Sequence, residues 1–293
     1  MTAVSRQSTA LRDFQFDDED FERIRTLVKE SAGISLSDAK RDMVYSRLAR
    51  RLRALRIGTF KEYLELVVRD EGGERGNFIN AITTNLTAFF REAHHFEYLK
   101  ATFIPYLLKA RRDTHRVRIW SAGCSTGPEP YSIAMTLLES GIVRPGWDVK
   151  ILATDLDTNV LKIAEEGIYG ESALAPLDRN QLRRWFRRGR GDKEGLYRVV
   201  PELRSLITFK QLNLMDRWPM RGPFDVLFCR NVIIYFDKPT QKVLFDRFAE
   251  VMAGDGVMFL GHSESLYRVS TRFTLLGQTI YRKETRGSHE CCE

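Results

Sequence analysis

From Val117 to Arg282, short apolar runs alternate with segments of helical periodicity, and this alternation limits the available folds more than any other feature. Such runs fit buried strands, and strands separated by helices build a parallel sheet. The candidate strands are Val117 to Ser121, Val149 to Thr154, Ile207 to Leu212, Val226 to Cys229, Val257 to Gly261 and Thr279 to Arg282. Helices are predicted at about Pro130 to Ser140, Asn159 to Glu166 and Pro239 to Met252. The fold class is α/β, with a doubly wound, Rossmann-like domain over 110–284.

The connection between the second and third strands is too long for a simple crossover. Its Gly189-Arg190-Gly191 turn and the alternating Leu196-Tyr197-Arg198-Val199-Val200 predict a small inserted antiparallel β-subdomain at about 186–206. The chain before 110 reads differently. Asp17-Asp18-Glu19-Asp20 caps a helix carrying Phe21, Ile24, Leu27 and Val28 on one face and ending at Gly33. A second helix, Asp38 to Leu55, carries Val44, Leu48, Leu52 and Leu55 in one stripe. Opposite that stripe stand Arg47, Arg50, Arg53 and Arg56. Amphipathic pieces at Phe60 to Val68 and Gly76 to Ile82 complete a small helical domain, 17–83. A linker and a helix from Ala93 to Lys109 fill 84–109. Residues 1–16 and 285–293 are expected to be disordered tails.

The N-terminus lacks a secretory apolar run and no stretch approaches the roughly 20 apolar residues of a membrane span, so a cytoplasmic location is expected. Cys124, Cys229, Cys291 and Cys292 form neither a disulfide framework nor a metal-binding spacing. No disulfide and no metal are expected. Cys124 and Cys229 end two strands and read as small buried hydrophobes, with a reactive thiol in the site as the sharper alternative. A net charge of +7 calls for an acidic partner without choosing among nucleic acid, membrane and acidic protein. Monomer is the default state, since no long exposed heptad occurs.

The turn after the first strand, Ser121 to Tyr131, combines Gly123 and Gly127 with a helix start, where backbone amides can meet a ligand. It is neither a dinucleotide fingerprint nor a P-loop, and glycines serving packing alone would look the same. The second strand ends in Asp155, placed to accept both hydroxyls of a ribose, with Asp157 as competitor and a helix N-cap as the plain role of either. After the third strand, Asn213 and Leu214 offer an amide and an apolar wall for a purine, or an ordinary turn. Arg230 and Asn231 follow the fourth strand at the same edge.

Between the helical and α/β parts lies Asn85-Leu86-Thr87-Ala88-Phe89-Phe90-Arg91-Glu92. With Ser125-Thr126-Gly127-Pro128-Glu129-Pro130-Tyr131-Ser132, then Phe228-Cys229-Arg230-Asn231-Val232 and Tyr235, it resembles the motifs of CheR-type chemotaxis receptor methyltransferases. The resemblance runs from about Phe21 to Arg282. Pro128 stands where the family motif has the first of two glutamates; Glu129 keeps the second.

That resemblance implies an S-adenosyl-L-methionine methyltransferase domain, with S-adenosyl-L-homocysteine as product. Carried over, the cofactor contacts are Asn85, Thr87, Arg91, Glu129, Asp155, Asn213, Leu214, Arg230 and Asn231. The reaction implied is methylation of glutamate side chains on methyl-accepting chemotaxis receptors, giving methyl esters for sensory adaptation. A glutamate with a pKa of about 4.3 is already ionised near pH 7, so transfer needs alignment and no general base. Arg91 and Tyr235 are the catalytic candidates, by bidentate donation and a neutral hydroxyl respectively. Their plain alternatives are a salt bridge and loop-end packing.

Arg47, Arg50, Arg53 and Arg56 are candidates for docking the acidic receptor, with a solvated helix face as the alternative. The inserted sheet resembles the family element that binds a receptor's C-terminal tail peptide by strand addition, and its Gly189 to Gly195 loop has the length of tail-binding members. Contact with a membrane is expected only through receptors. A nucleic-acid methyltransferase is the first alternative, but no base-handling motif accompanies the basic charge, so no nucleic-acid partner is expected. A noncatalytic, cofactor-binding signalling protein is the second.

Overall fold

The computed structural model describes residues 13–284, which form two compact units dividing between Thr83 and Thr84. The expected tails 1–12 and 285–293, with Cys291 and Cys292, lie outside the described residues.

The first unit holds α1 (Asp18–Ala32), α2 (Arg41–Leu55), α3 (Phe60–Arg69) and α4 (Glu74–Ile82). Asp17 and Asp20 close a reciprocal capping box at the start of α1, and Gly33, with φ of 71°, ends it. Order begins before Asp17. Phe16 is only 8% exposed and its ring packs at a tilt against Phe60 and Tyr45, so the tail expected up to residue 16 gives way earlier to packed aromatic structure. In α1, Ala32 joins Phe21, Ile24 and Val28 in the core while Leu27 is half-buried. In α2, Ala49 completes the buried stripe and Leu55, at the fraying last position, is 39% exposed.

Arg47 departs most from the helical wheel. Its Nη1 donates to the carbonyls of Ala81 (3.4 Å), Ile82 (2.8 Å) and Thr83 (2.6 Å). These groups close the C-terminus of α4, where unpaired carbonyls attract a cation. Arg47 is therefore committed within its own unit, which corrects its place on the docking face. Arg50, Arg53 and Arg56 are exposed, and Arg53 pairs with Asp13 at 2.8 Å.

The second unit opens with the linker motif and one continuous helical rod: α5 (His94–Tyr98), a π turn (Leu99–Phe103) and α6 (Ile104–Ala110). There follow β1 (Arg116–Ala122), α7 (Pro128–Glu139), β2 (Asp148–Asp155), α8 (Thr158–Glu166), β3 (Ile168–Gly170), α9 (Arg179–Trp185), β4 (Phe186–Arg188), β5 (Leu196–Val199), α10 (Pro201–Arg204), β6 (Ile207–Gln211), β7 (Phe224–Cys229), α11 (Lys238–Val251), β8 (Met252–Leu260), β9 (Phe273–Gly277) and β10 (Ile280–Lys283). The main sheet has the order β6-β2-β1-β7-β8-β10-β9. Its first five strands are parallel, and β10 runs antiparallel to both neighbours. β7 is buried at all six positions, as a central parallel strand must be.

The inserted sheet has the order β3-β5-β4. It begins at Ile168, directly after α8, and is larger than the 186–206 insertion expected. Its first strand is three residues long and too short to show a period. Phe89 of the linker sets its ring edge-on to Tyr169 and Phe186 of this sheet, at 5.1 and 5.7 Å. Among the described residues, no helix is long and apolar enough to cross a membrane.

Candidate functional site

Strand order reverses beside β1, which lies between β2 and β7. In open α/β sheets that crevice, outside the carboxyl ends of the strands, is where ligands bind. The turn from β1 into α7 carries Gly123 to Glu129 to this edge, β2 ends there in Asp155, and the loops after β6 and β7 bring Asn213-Leu214 and Arg230-Asn231. Gly123 has φ of 86°, and a side chain there would overlap the Val232 methyl Cγ2. The loops after β1 and β7 therefore touch across the crevice only because the residue is glycine. Pro128 occupies the first turn of α7, where its missing N–H costs nothing.

The linker is sewn to the same edge. Asn85 Nδ2 donates to Asp157 at 2.8 Å, and Ser125 Oγ donates to the Asn85 carbonyl at 2.9 Å. Ser132 accepts the Phe90 N–H at 2.9 Å. Thr87 is half-buried, while Leu86 between it and Asn85 is 79% exposed. Arg91 Nη1 donates to the Leu86 carbonyl at 2.9 Å, closing the motif on itself. Phe90 and Glu92 have φ of 50° and 57°, a conformation costly for side-chain-bearing residues and found where surrounding contacts over-determine it.

Asp155 accepts the Ser125 N–H at 2.7 Å and the Asp157 N–H at 3.0 Å. Each carboxylate oxygen thus holds one loop amide and retains a lone pair for a hydroxyl. Burial raises this carboxyl's pKa, opposed by those amides. Asp157 caps α8 through the Asn159 N–H at 2.8 Å, the plain role weighed for it. Asn213 uses its side chain within its own turn, accepting from Met215 N and donating to Asp216. Leu214 is buried and its carbonyl accepts from Trp218 and Arg247. Tyr235 is half-buried on the single turn after β7.

Arg230 is the electrostatic centre. Its side chain is 2% exposed, with Nη1 3.5 Å from Glu129 and Nη2 3.5 Å from Glu92, and Nη2 also donates to the Arg91 carbonyl. Glu129 accepts from Ser121 at 2.7 Å; burial raises its pKa, with Arg230 and Ser121 opposing. One buried cation thus faces two carboxylates, leaving an excess negative charge. Arg230 Nε and Glu92 Oε2 have no hydrogen-bond partner. A ligand of net positive charge with both donors and acceptors fits that group, as S-adenosylmethionine does with its ammonium, sulfonium and carboxylate.

Sequence reasoning passed over Glu92, His95 and Glu264. Buried Glu264 accepts the N–H groups of Gly261 (2.6 Å), Asn231 (2.9 Å) and Ile234 (3.2 Å), fixing the loop after β7. That loop needs fixing because Asn231 has φ of 58°. The reasoning that located Asp155, a carboxylate just past a strand end, would have located Glu264 had it been extended to the fifth strand. Cys124 and Cys229 are wholly buried, and burial raises both thiols' pKa values. The plain reading of each, a small buried hydrophobe, matches its place in the core.

A five-stranded parallel run closed by an antiparallel strand, with acidic and glycine loops at its switch point, is an open α/β fold built to take a nucleoside-bearing ligand. Residues 85–282 match the family model described as CheR methyltransferase, SAM binding domain, and residues 19–83 match CheR methyltransferase, all-alpha domain. The chain belongs to the CheR methyltransferase family. It is 49% identical over 267 residues to the chemotaxis protein methyltransferase of Escherichia coli, covering 90% of each chain. It is 46% identical over 273 residues to chemotaxis protein methyltransferase 2 of Pseudomonas aeruginosa, covering 92% of this chain and 95% of that one.

Proposed function

We propose that this enzyme methylates glutamate side chains of chemotaxis receptors in the cytoplasm, forming the methyl esters used in sensory adaptation. The observation that carries the reading is the buried Arg230, Glu92 and Glu129 group at the switch point, in a chain nearly half identical to chemotaxis methyltransferases along nine-tenths of its length. When bound, S-adenosylmethionine supplies a sulfonium-activated methyl group, and the carboxylate C–O bond forms as the S–C bond breaks. Arg230 and Glu129 hold the donor's charged end, and Asp155 with the Asn213 backbone and Leu214 holds its nucleoside. Asn85, Thr87 and Asn231 complete the binding shell.

Arg91 and Tyr235 align the accepting carboxylate. No proton needs removing, and both reactant charges vanish in the product, so the site gains by orienting them more than by solvating them. Arg50, Arg53 and Arg56 draw in the acidic receptor surface, and the receptor's C-terminal tail adds as a strand to an edge of the β3-β5-β4 sheet. Arg91→Ala tests the assignment. Turnover on receptor should fall at least 100-fold with the thermal midpoint moved by only a few degrees; near-normal turnover would remove Arg91 from the reaction.

A further inference from the structure

β6 is an edge strand of the main sheet, so the loop that follows it has a neighbouring strand on one side alone. That loop, residues 212–223, reaches β7 without forming a helix or a strand. Its first residues include Asn213 and Leu214, assigned above to the donor's nucleoside. The Leu212 N–H donates to the Asp155 carbonyl at 2.9 Å, and the Asp216 N–H returns to the Asn213 carbonyl at 3.1 Å. The loop therefore opens as a tight turn pinned to the end of β2.

Arg247 of α11 ties the same turn from another side. Its Nη1 donates to the carbonyls of Leu214 (2.6 Å) and Met215 (3.5 Å), and its Nη2 donates to the Asp216 carbonyl. The guanidinium lies 4.0 Å from the centre of the Trp218 ring, whose Nε1 donates to the Leu214 carbonyl at 3.2 Å. Trp218 in turn stands edge-on to Trp120 of β1 at 4.9 Å and leans on Phe248 of α11 at 5.2 Å. A planar guanidinium can stack on the indole and donate to several carbonyls at once, which a lysine ammonium cannot reproduce. Burial lowers the Arg247 pKa, so these contacts form against a desolvation cost.

We propose that Arg247 is a positioning residue for the nucleoside: by holding the 214–216 carbonyls it sets the place of Leu214 relative to Asp155, and so the spacing of the base and ribose subsites. This rests on the S-adenosylmethionine reading above. One bond joins base to ribose, so the two subsites have to keep a fixed separation. β2 places Asp155, whereas Leu214 depends on its loop. Arg230 and Glu129 hold the charged end of the donor, where methyl transfer takes place. Displacing Leu214 therefore weakens donor, product and bare adenosine by one common factor and leaves the rate of the bound complex unchanged.

The test is calorimetric titration of S-adenosylmethionine, S-adenosylhomocysteine and adenosine into the full chain and into Arg247→Leu, Arg247→Lys and Trp218→Phe, with receptor methylation and thermal midpoints alongside. Arg247→Leu should weaken all three ligands roughly tenfold and raise the donor KM by the same factor, with kcat within about twofold of wild type. Trp218→Phe, which keeps a ring beneath the guanidinium and loses one donor to Leu214, should weaken them about threefold. Arg247→Lys should fall between these two. A merely structural role would lower the thermal midpoint and leave the affinities and the KM-against-kcat split as they are.

Unchanged affinities, a loss confined to the two ligands that carry the amino-acid end, or a fall in kcat at unchanged donor KM would overturn the proposal. Should Arg247→Leu not fold, the affinities of Arg247→Lys and Trp218→Phe decide it by the same criteria. The affinities need no receptor, so failure of the wild-type protein to methylate receptor counts against the functional reading alone.

Discussion

His95 makes the stability of the methyltransferase unit depend on pH in a way that can be calculated. Burial, with the neighbouring Arg230 charge, lowers its pKa from 6.5 to about 3. The unfolded chain therefore takes up a proton below pH 6.5 that the folded chain refuses, and stability falls with pH. The contribution is complete above pH 6.5, and integrating between pH 7.5 and 5.0 gives a loss of about 2 kcal/mol. Glu129, Asp155 and Glu264, whose pKa values burial raises, act with the opposite sign because the folded state holds their protons longer. They are common to wild type and His95→Gln, so the difference between the two proteins isolates His95. Urea unfolding can be followed by tryptophan fluorescence, since Trp120, Trp147, Trp185 and Trp218 all lie in this unit. The wild-type midpoint should drop relative to His95→Gln by roughly 1 M urea between pH 7.5 and 5.0. Parallel midpoints across that range would show that His95 is not held neutral and would refute the argument.

Three further outcomes follow from the geometry. Gly123→Ala, forced into a left-handed backbone and against Val232, should cost about 2–4 kcal/mol and abolish donor binding measured by calorimetry. Donor affinity should fall on acidification, beginning above the ordinary carboxylate range because burial raises the pKa values of Glu129 and Asp155; Glu129→Gln should bind weakly with a shallower profile, the remainder set by Asp155. Arg47→Ala strips the cation from three carbonyls of α4 and should destabilise the helical unit by about 2 kcal/mol in far-ultraviolet dichroism, whereas Arg50→Glu with Arg53→Glu should spare stability and slow receptor methylation, most at low salt.

The parallel strands were legible because burial on both faces leaves an unbroken apolar run, as in Val226 to Cys229. β9 was not, because this five-residue edge strand exposes Thr274, Leu275 and Leu276, so its apolar residues do not mark a buried face. The gathering of Asp155, Asn213 and Arg230 at one sheet edge was legible because each ends or follows a strand. What holds it was hidden, because Glu92, His95 and Glu264 act through contacts with residues distant in sequence, such as Gln278 and Asn231. Arg47 shows the limit of the helical wheel: the period places it opposite the core, but a long side chain can reach around the helix to α4.

Carboxyl methylation of receptors is measured most directly as transfer of radiolabel from S-adenosylmethionine to receptor-containing membranes, with nucleic acid offered separately. The expected result is label on receptor protein that mild alkali releases, as a methyl ester requires. Label on nucleic acid, alkali-stable label, or no transfer by protein that demonstrably binds the donor would contradict it.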